Sequence, residues 1–184
     1  NDHLKPPLQH MSKGEISIIM SSVFDMTVMK DAAKVLDQFG ISYEIEILDV
    51  HRDPECAPEY IKEALARGVC VFIAGASGAA LLPGLVAAHT TAPVIGVPIK
   101  AIHSIDGLDA IYSILQMPQG IPVATMALNG ARNAALFALQ VLACKHPSYL
   151  QLVQAYKTKQ RDEARLNAKN LQKMGYEHFI ANAK

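Results

Sequence analysis

Val69-Cys-Val-Phe-Ile-Ala-Gly-Ala-Ser-Gly78 is an unbroken apolar run that closes on small residues. A continuous rather than alternating apolar run marks a strand buried on both faces, as at the centre of a parallel sheet. Val69 to Ala74 therefore reads as that strand. Gly75 to Gly78 reads as the turn into a helix that reaches about His89. Strand, tight turn and helix in that order make one βα unit of an α/β domain.

The same unit recurs on either side. Towards the N-terminus, Ile16 to Met20 is a strand and Ser21 to Asp25 a turn whose Ser or Asp caps the next helix. That helix runs to about Phe39 and stops at Gly40, and Tyr43 to Val50 is a second β-branched strand. Pro54 opens a helix that ends near Gly68, with Pro58 tolerable only in its first turn. Towards the C-terminus, strands are predicted at Pro93–Val97 and Ile121–Met126, and helices at Asp106–Gln116 and Ala131–Cys144. Strict alternation implies right-handed crossovers and a sheet covered on both faces. The expected fold is a three-layer α/β/α sandwich with a parallel sheet, flavodoxin-like or Rossmann-like.

The α/β domain is assigned to residues 11–147. Pro147 breaks the chain before a last helix from about Ser148, with Tyr149, Leu150, Leu152, Val153 and Tyr156 on an apolar stripe and a polar second half. A helix projecting beyond its domain docks on another subunit, so residues 148–184 are expected to be an oligomerisation extension. Residues 1–10 are read as a segment without fixed structure and unrelated to the fold. His10-Met11 resembles a cloning junction, with Met11 as the native start.

At 184 residues there is room for one well-packed domain. The chain is 51% hydrophobic with 6% aromatics, which suits aliphatic packing of helices on a sheet. Net charge is zero, so neither nucleic acid nor an anionic membrane is indicated as a partner. From Ser148 onward seven Lys/Arg stand against three Asp/Glu, but the segment is amphipathic, as a packed helix is. Cys56, Cys70 and Cys144 are odd in number and lack C-x-x-C spacing, which fits a reducing, cytoplasmic setting. Cys70 is read as a small core residue. No apolar stretch is long enough to span a bilayer.

Chemistry concentrates at the strand ends. The turn Ser21-Ser22 with Asp25 offers hydroxyl and N–H donors for phosphate and a carboxylate for ribose hydroxyls, although these residues also serve as helix caps. His51-Arg52-Asp53-Pro54 places an imidazole for proton transfer beside a planar fork for phosphate. Gly75, Ala76, Ser77, Gly78 and Ala79 let a ligand lie against backbone, or let helix and strand pack closely. The pattern is not G-x-G-x-x-G, which disfavours NAD. His89, His103 and His146 lack metal-ligand spacing and read as structural or surface residues. These residues point to a small enzyme acting on a phosphorylated metabolite.

Taken together, Ser-Ser-x-x-Asp25, His51-Arg-x-Pro54, Ala74-Gly-Ala-x-Gly-Ala-Ala-x-Leu-Pro-Gly84, Pro93-Val-Ile-Gly-Val-Pro98 and Tyr112-Ser-Ile-Leu-Gln-Met-Pro-x-Gly-Ile-Pro-Val123 resemble the PurE family of purine biosynthesis. The match runs from about Ile16 to Cys144, in order. The resemblance implies a homo-octamer that uses no cofactor or metal. It implies a ribonucleotide substrate and either transfer of a carboxylate from nitrogen to carbon 4 of 5-aminoimidazole ribonucleotide or direct carboxylation with carbon dioxide. His51 would be the proton shuttle and Arg52 the phosphate holder. Asp25 would hold ribose hydroxyls, Ser22 an anionic oxygen, and Gly75 to Ala79 the imidazole and carboxylate.

Departures from the family pattern cluster at ligand positions. Ser21 replaces a glycine and Phe24 a serine of G-S-x-S-D. Asp49 stands where serine is usual, Leu81 replaces the second histidine, and Gln119 replaces an arginine. The usual G-x-A-G-A-A-N is shortened to Asn129-Gly-Ala-Arg-Asn133. A carboxylate at Asp49 is adverse to a nearby phosphate unless it turns away or pairs with Arg52. The expectation is a divergent member that keeps the proton-transfer histidine and decarboxylates 4-carboxy-5-aminoimidazole ribonucleotide or runs that step in reverse. An ordinary mutase, a paralogue for another phosphorylated heterocycle, and a non-catalytic oligomeric binding protein are the competing readings.

Overall fold

In the computed structural model, residues 14–182 are described, so the reading of residues 1–10 lies outside them. Five parallel strands are β1 (Ile16–Met20), β2 (Tyr43–Ile47), β3 (Val71–Ser77), β4 (Val94–Ile99) and β5 (Ala124–Thr125). Their order in the sheet is β2-β1-β3-β4-β5. This is the flavodoxin-like order, whose switch point lies between β1 and β3. The helices are α1 (Met26–Gln38), α2 (Cys56–Arg67), α3 (Leu81–His89), α4 (Leu108–Leu115) and α5 (Ala131–Leu142). α1 and α5 pack together on one face of the sheet, and α2, α3 and α4 line the other.

The two-residue period of β3 serves both layers. Phe72, Ala74 and Ala76 join Ile61, Leu82, Val86 and Ile114 in the core beneath α2 to α4. Gly75 faces the other way, and a Cβ there would lie 2.3 Å from Met29 Sδ of α1. Met29 therefore sits directly on β3 at the switch point, and no larger residue than glycine fits beneath it.

Several predicted boundaries are corrected. β3 starts two residues later than predicted, because the Val69 N–H closes α2 on the Ala64 carbonyl, and it ends three residues later, at Ser77. Gly68, with φ +108, makes the left-handed cap that permits this. Cys70 is consequently not a core residue: it is partly exposed ahead of β3, with its thiol 3.4 Å from the Gly68 carbonyl. β2 ends at Ile47 rather than Val50, because its neighbour β1 ends in register with it at Met20. The Leu48 N–H still reaches the Met20 carbonyl at 2.8 Å, and the chain then turns. β5 shrinks to two residues because the Ile121 N–H turns back to Pro118 and Pro122 has none to give.

The chain divides after Leu142 into two compact units. The second is dominated by α6, Pro147–Asn182, interrupted at Gly175 (φ 76, ψ 165). Within it Lys159 pairs with Glu163 at 3.9 Å and Arg161 with Asp162 at 3.0 Å. No helix among the described residues is long and apolar enough to cross a membrane.

Candidate active site

Register aligns three strand ends. Met20 of β1 pairs with Ile47 of β2 and with Gly75 of β3. The loops beyond these strands are thereby delivered to one edge of the sheet. Beyond β1 come Ser21, Ser22 and Asp25, beyond β2 come Asp49, His51 and Arg52, and β3 ends in Ser77 before Gly78 and Ala79. The Ser21 N–H donates to the Gly75 carbonyl at 3.1 Å and ties the β1 loop to the switch point.

Asp25 is the buried charge of this edge, with 1% of its surface exposed. It ends a short 3-10 turn, Val23–Asp25, whose cap is Ser22: the Ser22 hydroxyl accepts from the Phe24 N–H at 3.2 Å. Asp25 makes no cap hydrogen bond of its own. Instead it accepts from the Ser21 hydroxyl at 2.9 Å. Burial pushes its carboxyl pKa up, and donors from Ser21, Ser77 and the Ser22 backbone pull in the opposite direction without overcoming it. A buried carboxylate with few protein donors is an acceptor for ligand hydroxyls.

The β2 loop is a tight turn. Arg52 N–H and Asp53 N–H both donate to the Asp49 carbonyl, at 3.1 and 2.9 Å. The Arg52 guanidinium is hydrogen-bonded to the Asp49 carboxylate. Of the two escapes open to Asp49 in the sequence, turning away or pairing with Arg52, pairing is the one taken. The pair holds the Asp49 carboxyl below the usual carboxylate range. His51 is exposed, as is Arg52.

The small-residue run divides in two. Gly75, Ala76 and Ser77 belong to β3, the first two buried, a correction to their reading as loop residues. Gly78 and Ala79 make the turn itself, with Gly78 at φ +61 and Ala80 at φ +38. Leu81 begins α3 half-exposed, and Phe24 is 81% exposed on the first loop. Lys100 and Asn129, the latter opening the shortened Asn129-Gly-Ala-Arg-Asn133 stretch, meet just beyond β4. Asn129, at φ +57, accepts from the Lys100 N–H at 3.0 Å and donates its own N–H to the Pro98 carbonyl. The dipeptide Asn129-Gly130, which favours left-handed turns, was the available signal. Among the described residues no three His, Cys, Asp or Glu side chains are grouped to hold a metal ion.

A match to a known family, AIR carboxylase, covers residues 15–163. The chain belongs to the AIR carboxylase family. It is 49% identical over 166 residues to the N5-carboxyaminoimidazole ribonucleotide mutase of Pyrococcus horikoshii, a match that covers 90% of this chain and 93% of that protein. It is 44% identical over 178 residues to the phosphoribosylaminoimidazole carboxylase of Saccharomyces cerevisiae, covering 97% of this chain and 31% of the yeast protein. Among solved structures, Treponema denticola PurE superposes with a TM-score of 0.74 at 28% identity, over 88% of this chain and 98% of that one. The AIR carboxylase family thus includes similar chains named as mutases and, within longer proteins, as carboxylases.

Proposed function

We propose that this chain is an enzyme of purine biosynthesis that makes or breaks the carboxylate bond at carbon 4 of 5-aminoimidazole ribonucleotide. The observation that carries the reading is the switch-point edge itself. A buried Asp25 ringed by Ser21 and Ser77 lies at the end of β1, and the adjacent β2 end carries His51 and Arg52, in a chain of the AIR carboxylase family.

Asp25 suits the ribose hydroxyls, because its desolvated carboxylate gains more from two hydroxyl donors than an exposed one does. Ser22 and Arg52 suit anionic oxygens, and Ser77 to Ala79 the flat heterocycle. His51 is the proton carrier. In decarboxylation of 4-carboxy-5-aminoimidazole ribonucleotide, the carbon 4 to carboxyl bond breaks, carbon dioxide leaves, and the electron pair at carbon 4 takes a proton from the imidazolium of His51. In carboxylation, the amino-activated carbon 4 attacks carbon dioxide and neutral His51 removes the proton left on that carbon. An exposed imidazole can exchange its proton with solvent between turnovers.

Leu81 favours release of carbon dioxide over its transfer from nitrogen. An apolar side chain offers no donor to hold a departing carboxyl group. A mutase is the second reading, favoured by the name and identity of the Pyrococcus relative. In either case a homo-oligomer, on the family resemblance an octamer in the cytoplasm, is part of the reading. Leu108, Tyr112 and Leu115 give α4 an exposed apolar face opposite its buried one, as a helix covered on both sides has.

The deciding experiment follows the ultraviolet absorbance of 4-carboxy-5-aminoimidazole ribonucleotide together with released carbon dioxide. Rapid loss with matching gas release is the expected result. Stability of that compound with conversion of the N-carboxylated isomer would establish the mutase instead. Inertness towards both would sink the reading.

A further inference from the structure

The turn after β2, Asp49 to Glu55, carries one guanidinium, Arg52, against three carboxylates, Asp49, Asp53 and Glu55. That is an adverse field for a phosphate dianion. The guanidinium is also already engaged, because Asp49 grips its terminal nitrogen. The Asp49 carboxylate is itself anchored. Its other oxygen faces the Arg52 N–H at 3.4 Å, and its backbone carbonyl takes the N–H groups of Arg52 and Asp53.

We propose that Asp49 is a positioning residue that sets how tightly the site holds the phosphate of its ribonucleotide, by holding one nitrogen of the Arg52 fork until the phosphate displaces it. The inference deepens the nucleotide reading above and rests on it. A phosphate that takes the guanidinium by two nitrogens at its outer end needs the terminal nitrogen that Asp49 already holds, so carboxylate and phosphate compete for that nitrogen. The pair is built to yield. Arg52 is 84% exposed on its side chain, and exposed pairs are weak, worth at most about a fivefold change in an equilibrium. An exchangeable latch of this kind lowers the preference for nucleotide over nucleoside without changing the proton transfer at His51.

The test is Asp49→Asn, which removes the charge and keeps an oxygen to accept from the Arg52 N–H. Binding of inorganic phosphate is titrated calorimetrically. KM and kcat are measured for the carboxylated ribonucleotide and for its dephosphorylated nucleoside. Asp49→Asn is expected to tighten phosphate about three- to fivefold and to lower KM for the nucleotide by a similar factor. The change should fall on KM rather than kcat, with nucleoside KM unmoved, and Arg52→Gln introduced into the same chain should cancel the gain. Asp49→Ser, which lacks the amide, provides an independent second variant should the first fail to fold. Wild type that binds phosphate while both folded variants bind it no better overturns the role of Asp49 alone. Wild type that binds neither phosphate nor nucleotide overturns the nucleotide reading together with it.

Discussion

β2 or the turn beyond it supplies the carboxylate of two arginine pairs, one near each end, and they differ in everything but composition. At the buried end, Glu44 takes Arg67 in a fork, Nε at 2.8 Å and Nη2 at 2.7 Å. The Tyr60 hydroxyl donates to the same carboxylate at 3.1 Å, and Ser17, fully buried, bonds the Tyr60 oxygen at 2.8 Å. Arg67 also lies 5.6 Å from the centre of the Tyr60 ring. Burial, reinforced by the Glu44 charge, pushes the Tyr60 phenol up to about 12. At the other end, Asp49 and Arg52 meet in solvent with no third partner among the described residues. The lesson concerns surroundings. The Glu44 pair is enclosed by groups that would be stranded without it, so it is structural. The Asp49 pair leaves nothing stranded when it opens, so it is available to a ligand.

The largest expected effect tests the exposed end. His51→Asn should lower kcat by about a hundredfold to ten-thousandfold, the range for a lost general acid-base, with circular dichroism and oligomer size unchanged. Undiminished turnover would remove His51 from the chemistry. Next comes the contrast between the pairs, read by denaturant unfolding. Glu44→Ala should cost about 2 kcal/mol, because Arg67 loses its forked carboxylate and keeps only the exposed Glu63, and Tyr60 keeps only Ser17. Asp49→Ala should leave the unfolding midpoint nearly where it was, because the pair it opens is exposed. Equal losses would erase the distinction between a structural and an exchangeable pair.

The smallest effect, and the sharpest in sign, belongs to Asp25. Its pKa is raised in the fold by burial, so the native state favours its protonated form. Its contribution is intact below the unfolded-chain value of 3.8 and is lost as pH rises through the raised native value. Asp25→Asn should therefore raise the melting temperature at pH 7. That gain should fade as pH is lowered towards 3, while ribonucleotide binding weakens at every pH. A variant that melts lower at pH 7 would show that the Ser21 and Ser77 donors outweigh the desolvation.

Much of the architecture was legible because it depends on local and periodic signals. The continuous apolar run through Phe72 identified the central strand, and Gly40 and Gly68 ended their helices where expected. Strand ends were less legible, because they depend on a neighbour. β2 stops where β1 stops, and β5 is cut short by the turn at Pro118 and Pro122. The candidate site followed the same division. Its residue types stood in the sequence, but the place of Gly75 inside β3 beneath α1 needed the position of Met29, which is 46 residues away in the chain.

The amino-acid sequence by itself determined the alternating βα order, the family and the His51-Arg52-x-Pro54 motif, because these reside in composition, periodicity and motif. Only the tertiary structure decided that Asp25 is desolvated, that Ser77 reaches it from another strand, and that Asp49 occupies Arg52 rather than repelling a ligand from a distance. Those are matters of burial and ångström-scale contact, set by the sheet register and by α1 closing on β3, and no local stretch of sequence encodes them.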